Sequence, residues 1–187
     1  MSEVITEVDV SHDAAAPRGV VESSDSELDL NKYLTFRLGE SDFGIDLLRI
    51  KEIIEYASVC DIPMVPSRIR GVINLRGNVV PVIDLARRIG IEGDSEASNR
   101  SCIIIIDIMV QGESIDLGIV VDAVNKVYEV DAADVEQPPA FGANIRTSFI
   151  KGMGRIDRQF VVLLDLDRVL DLNELSIDGK DNLVELF

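Results

Sequence analysis

The residue types that could do chemistry are few and scattered. The single histidine, His12, lies in Val8-Asp9-Val10-Ser11-His12-Asp13-Ala14, a stretch of small and acidic residues. No histidine follows it. A general base, metal ligand or phosphoryl carrier of that type is therefore excluded from the rest of the chain. The two cysteines, Cys60 and Cys102, are 42 positions apart. That spacing fits neither a zinc site nor a disulfide framework, and both read as small apolar packing residues. Asp25-x-Glu27-x-Asp29 has the alternate-acid spacing of a calcium loop. It lacks the glycine of the sharp turn and the closing glutamate, and Asp178-Gly179-Lys180-Asp181 fails in the same way. No GxxxxGK[ST], GxGxxG or GxSxG pattern is present. Neither cofactor nor metal is expected.

One carboxylate needs separate treatment. Cys102-Ile103-Ile104-Ile105-Ile106-Asp107 resembles the apolar strand that ends in the phosphorylated aspartate of a response-regulator receiver domain. That chemistry needs an acidic metal-binding pair and a lysine at neighbouring ends of a parallel sheet. Here the chain turns back through Gly112 with no crossover helix, and no acidic pair closes an earlier strand. The expectation is a buried antiparallel strand with Asp107 near a turn. A phosphorylatable regulator using Asp107 is the competing reading.

The elements that must position any site follow from composition and pattern. The chain has 187 residues, 47% hydrophobic and 28% charged, with a net charge of −16. The apolar fraction suits a folded domain. The charge excludes a phosphate-binding cationic face, so no nucleic-acid partner is expected, and it disfavours docking on anionic lipid. No apolar run approaches the ~20 residues of a membrane-spanning helix, and no secretory signal is visible. The expected place of work is the cytoplasm. Residues 1–30 carry eight acids and one base, and 171–187 carry five acids and one base. Both read as acidic tails, with boundaries at 1–31 and 173–187. The domain between them, 32–172, is only mildly acidic.

That middle is rich in strand signals. Leu34, Phe36 and Leu38 alternate on one face, and Phe43-Gly44-Ile45-Asp46 answers across a Gly39–Asp42 turn. Leu47 to Tyr56 is ambiguous between helix and strand. Gly71–Leu75 and Val79–Asp84 flank an Arg76-Gly77-Asn78 turn. Cys102–Val110 and Ser114–Val121 flank Gln111-Gly112-Glu113. Phe149–Ile156 and Gln159–Leu164 flank Asp157-Arg158. Asp134–Pro139 reads as a loop and Asp165–Leu172 as a closing helix. Eight to ten short strands with few helices predict small barrels or a sandwich.

One motif adds identity to this pattern. Gly71-Val72-Ile73-Asn74-Leu75-Arg76-Gly77-Asn78-Val79-Val80-Pro81-Val82-Ile83-Asp84-Leu85 resembles the signature of the CheW family of chemotaxis coupling proteins. The resemblance extends through Phe43-Gly44-Ile45-Asp46, Ile50–Ile54, Gly118–Val124 and Ile150-Lys151-Gly152-Met153-Gly154, from about residue 32 to 171. It implies a mainly β fold of two SH3-like, five-stranded barrels sharing a hydrophobic core, with short helices. It also implies a non-enzymatic scaffold between the cytoplasmic tip of methyl-accepting chemoreceptors and the regulatory domain of a CheA-type histidine kinase. It would join membrane-bound receptor arrays through these partners, with no insertion of its own. A CheW-like adaptor of a non-flagellar chemosensory pathway would share the fold.

The resemblance carries site residues position by position. Ile50, Glu52, Gly71, Arg76, Ile103, Gly118, Val124 and Val127 match the receptor-contact region. Asn74, Leu75, Gly77, Pro81 and Asp84 match the structural motif. Ile50 and Ile103 depart from the valine common at those positions. Under this reading Ile50 and Ile103 are apolar anchors for a receptor helix. Arg76 offers a planar fork of donors to carboxylates or carbonyls, and Glu52 meets a basic or amide group. The glycines serve backbone geometry, and Asp84 and Asp122 cap turns.

Overall fold

Each apolar run is long enough for one strand, and each is followed by residues that reverse the chain. The computed structural model describes residues 30–56, 59–91, 97–138 and 145–175. Two strands, β1 (Leu30–Leu38) and β2 (Ser41–Asp46), lead through a 3-10 turn at Leu47–Arg49 into β3 (Ile50–Glu55). Then come β4 (Ile69–Leu75), β5 (Asn78–Asp84), α1 (Leu85–Ile89), β6 (Cys102–Val110) and β7 (Glu113–Val121). β8 (Ala123–Asp131), β9 (Val135–Glu136), β10 (Ile150–Ile156) and β11 (Gln159–Leu164) follow, and α2 (Leu166–Val169) and α3 (Leu172–Leu175) close the fold. All four expected hairpins form. The ambiguous Leu47–Tyr56 stretch resolves into a single 3-10 turn and a strand.

Two sheets result. One has the order β8-β1-β2-β11-β10-β9, the other β3-β6-β7-β5-β4. Each contains one parallel pair, β2 with β11 and β5 with β7, among antiparallel neighbours. The five-stranded sheet is thus spliced into the chain between β2 and β8. The other sheet has six strands because the expected loop at Asp134–Pro139 contributes β9, a two-residue edge paired with Met153 and Gly154.

In both sheets strands that share no ladder come within side-chain reach of each other. In the five-stranded sheet the gap between β3 and β4 is crossed by side chains. Arg76 reaches Glu52, and Arg70 Nε donates to Tyr56 Oη at 3.2 Å. In the six-stranded sheet Gly154 of β10 lies so close to β8 that a methyl on it would sit 3.6 Å from Val130 Cγ1.

Each sheet has a covered inner face as well as a shared outer one. Ile73, Val80, Val82, Ile103 and Ile105 fill the interior of the five-stranded sheet. Tyr33, Val130, Ile156, Val161 and Leu163 fill the other. The largest cluster lies between the sheets, where Phe36, Phe43 and Ile45 meet Ile104, Ile106, Ile119 and α1. β6 is buried on both faces, and that explains its unbroken isoleucine run inside an antiparallel sheet. Each such isoleucine contributes about 1.5–3 kcal/mol by leaving water.

Short acids fix the ends of the elements. Asp84 caps α1 by accepting from Arg87 N at 3.1 Å, and Gly90 ends it at φ 86°. Asp122 accepts from Gly39 N at 2.6 Å, tying the β1–β2 turn to the start of β8. Most of the expected tails falls outside the described residues. Where they are described, Leu30 and Asn31 open β1, and 173–175 complete α3, whose Leu175 is fully buried. The folded part therefore runs past the boundary expected at 172.

Candidate partner-docking site

The site begins with a parity change in β3. Ile50 stands opposite Ile106, but Glu52 stands opposite Ile105, so Lys51 is an extra residue in the strand. Ile50 leans on the core between the sheets, half-buried. Glu52 and Ile54 face the interior of the curled sheet, on the side of Ile105 and Ile103.

Arg76 arrives from the opposite edge. Leu75 pairs with Asn78, so β4 and β5 are joined by the two-residue turn Arg76-Gly77. Both residues have positive φ, 52° and 92°, the conformation that matches strand twist in a tight hairpin. Asn74 Oδ1 accepts from Gly77 N at 2.9 Å and locks the turn. Arg76 Nη1 and Nη2 then donate to Glu52 Oε1 and Oε2, each at 2.9 Å. The two residues expected to meet a partner separately form one forked ion pair over the mouth of the sheet. The Arg76 side chain is 77% exposed and Glu52 25%. The guanidinium keeps Nε–H and its outer N–H groups for another acceptor.

Exposed apolar side chains also occur on β3 and β5. Ile53 is 42% exposed and Val79, opposite Asn74, is 59% exposed. The sequence did not single out either as a site residue. Their signal, an apolar side chain on the outward parity of a strand edge, depends on the extra residue at Lys51 and on the tight turn.

One expected anchor requires correction. Ile103 is fully buried against Val82, Ile105 and Gly118 inside the five-stranded sheet, so it supports the surface from beneath and is not itself an anchor. Gly118 leaves the room for it, since a Cβ there would lie 2.9 Å from Ile103 Cγ2. Gly71 lets the chain before β4 approach, because Cys60 and Val72 exchange backbone hydrogen bonds of 2.8 and 3.0 Å beside it. Pro81 is buried just ahead of the parallel ladder that starts at Val82 and Gly118. Leu75 is half-buried against the interior cluster. Val124 and Val127 lie on β8 of the other sheet. Val124 packs on the shared core, and Val127 is 43% exposed.

Asp107 lies within the β6–β7 ladder, opposite Asp116. Ser114 Oγ donates to its Oδ1, and Lys51 Nζ, hydrogen-bonded to Asp116, lies 3.8 Å away. The hydrogen bond to Asp116 raises the Lys51 pKa. This is a cross-strand cluster of two carboxylates and one lysine on an antiparallel hairpin, unlike the parallel strand-end triad that a receiver needs. Among the described residues no group of three or more His, Cys, Asp or Glu could hold a metal ion. None of their helices is long and apolar enough to cross a membrane.

Two core-sharing sheets with few short helices and an exposed Glu52–Arg76 ion pair define a mainly β class of protein. The model of the CheW-like domain matches residues 32–174, and the chain belongs to the CheW-like family, whose members are non-catalytic scaffolds. It is 33% identical over 146 residues to the chemotaxis protein CheW of Klebsiella aerogenes, covering 78% of this chain and 85% of that one. It is 30% identical over 148 residues to the chemotaxis protein CheW of Treponema pallidum, with the same coverage of 78% and 85%. The solved structure of the scaffolding protein TtCheW from Thermoanaerobacter tengcongensis superposes with a TM-score of 0.69 at 34% identity. That comparison spans 82% of this chain and 93% of the other.

Proposed function

We propose that this protein is a cytoplasmic chemotaxis scaffold that couples the tip of transmembrane chemoreceptors to the regulatory domain of a CheA-type histidine kinase. Family membership supports the class. The single observation that supports the receptor surface is the Glu52–Arg76 fork, with Ile53 and Val79 exposed on β3 and β5 and Ile50 half-buried at the start of β3. A receptor tip is a helical hairpin, and a helix presents apolar side chains at three- and four-residue spacing beside polar groups. Ile50, Ile53 and Val79 would bury against such a stripe. Glu52 holds the Arg76 fork in place before the partner arrives, so little rotamer entropy is lost on binding. The remaining guanidinium donors meet a carboxylate or exposed carbonyl of the helix and set its register. Val127 extends the contact onto the second sheet. An interface of about 1,000–1,600 Å² would give reversible binding that gains strength in an array.

The test is a pull-down with a CheA-type kinase and a receptor cytoplasmic fragment, comparing wild type with Arg76→Glu. The expected result is that wild type captures both and the variant loses the receptor while keeping the kinase. Receptor capture by the variant would move the receptor surface elsewhere. Failure of wild type to capture either partner would overturn the function.

A further inference from the structure

The last described helix is tied to elements of both sheets through one carboxylate, Glu174. Among the described residues α3 spans Leu172–Leu175. It is held at its start by Asp171, whose backbone carbonyl accepts from Glu174 N at 3.1 Å and Leu175 N at 2.9 Å. Leu172 and Leu175 bury its apolar side. Glu174, on the other side, is gripped by two arginines from distant parts of the chain.

Arg88 comes from α1, behind the five-stranded sheet, and its side chain is only 2% exposed. Its Nε donates to Val169 O at 2.5 Å, and its Nη2 donates to Glu174 Oε2 at 2.9 Å and Arg168 O at 3.5 Å. Arg146 comes from the segment before β10, in the six-stranded sheet. It grips both Glu174 oxygens, at 3.0 and 3.2 Å. Phe149 is contacted by both guanidiniums, at 4.7 and 4.6 Å from its ring centroid. Glu174 is thus the carboxylate that neutralises a buried cation and links elements of both sheets.

We propose that α3 is a strap latched by Glu174, and that it opens as a unit separate from the two sheets. The latch acts together with Leu172 and Leu175, which pack into the shared core. Release would leave Arg88 with carbonyl acceptors alone and uncover the seat of Leu172 and Leu175. That seat adjoins a cavity of about 370 Å³ walled by Ile108–Gln111 on one side and Leu166–Asn173 on the other. Lifting the strap would therefore enlarge an existing recess lined by both apolar and polar side chains.

Amide hydrogen exchange on the full chain near neutral pH tests this. In Glu174→Gln, the Glu174-position and Leu175 amides should exchange about tenfold faster, as expected for a lost charge-assisted bond, while β1 and β6 amides stay within about twofold of wild type. Arg146→Gln, which removes only the exposed partner, should have a smaller effect in the same place. The pair Arg88→Met with Glu174→Leu removes the latch together with the buried charge and should raise α3 exchange at least as much as Glu174→Gln. Unchanged α3 exchange in Glu174→Gln would overturn the latch. An equal rise in β1, β6 and α3 would overturn the separate opening, and wild-type protection of α3 in the apolar pair would overturn the latch.

Discussion

Glycine serves different purposes at different positions, and the distinction is measurable. At Gly71, with φ 145°, an added Cβ would lie 2.2 Å from Cys60 O, a clash with backbone that cannot swing away. At Gly77, with φ 92°, no atom lies within 4 Å of the same methyl. Gly71→Ala is therefore expected to cost about 2–4 kcal/mol of stability and Gly77→Ala about 1 kcal/mol, which denaturant titration would resolve. Equal losses would mean that backbone conformation alone sets the cost. The Glu52–Arg76 pair belongs to the opposite category. It is exposed enough to add only about 0.2–1 kcal/mol to folding. Arg76→Glu in the pull-down thus reads partner contact and not collapse.

At the scale of elements, α1 depends on one buried carboxylate. Asp84 is 6% exposed, caps the helix, and faces Arg87 at 3.5 Å and Arg70 at 3.9 Å. Asp84→Ala should cost about 1–2 kcal/mol in chemical denaturation through the lost cap, whereas Asp84→Asn keeps an acceptor and should lose less. Identical losses would place the stabilisation in the charge and not in the cap. The same helix carries Arg88, so a frayed α1 should also loosen the C-terminal strap. Elements here were legible where a turn signal met an apolar run, as at Gln111-Gly112-Glu113. β8 was not: Ala-Val-Asn-Lys-Val-Tyr-Glu-Val-Asp lacks clean alternation because only part of it covers apolar surface, and its strand form is set by pairing with β1.

At the scale of the whole molecule, three acids have pKa values lowered by arginines in other elements or across a turn. Asp42 is lowered mainly by the Arg37 hydrogen bond, Asp167 by Arg49, and Glu174 by Arg88 and then Arg146. A carboxylate held below its unfolded value stabilises the fold above that value, about pH 4, and loses the contribution as pH falls through the lower folded value. The melting temperature should accordingly be flat from pH 7 to about 5 and fall below about pH 4. Asp42→Asn with Asp167→Asn should flatten that fall. A steeper acid transition in the double variant would reverse the assigned sign. The arginines joining Asp167 and Glu174 come from different elements, so acid should loosen contacts between elements before it affects the hydrophobic core.

The sequence by itself determined the family, the strand-rich class, four hairpins and the turn that presents Arg76. Those features are local: alternation, glycine and asparagine at turns, and one long motif suffice to write them. Only the tertiary structure decided which side chains reach the surface. An isoleucine at an anchor position looks the same whether its strand is covered on one face or two, and curling of the sheet buried Ile103 while one extra residue at Lys51 turned Glu52 toward Arg76. The pairing of Arg88 with Glu174, 86 positions apart, likewise had no local signature. Burial and long-range charge pairing depend on how sheets curl and stack, and that geometry exists only once the whole chain is packed.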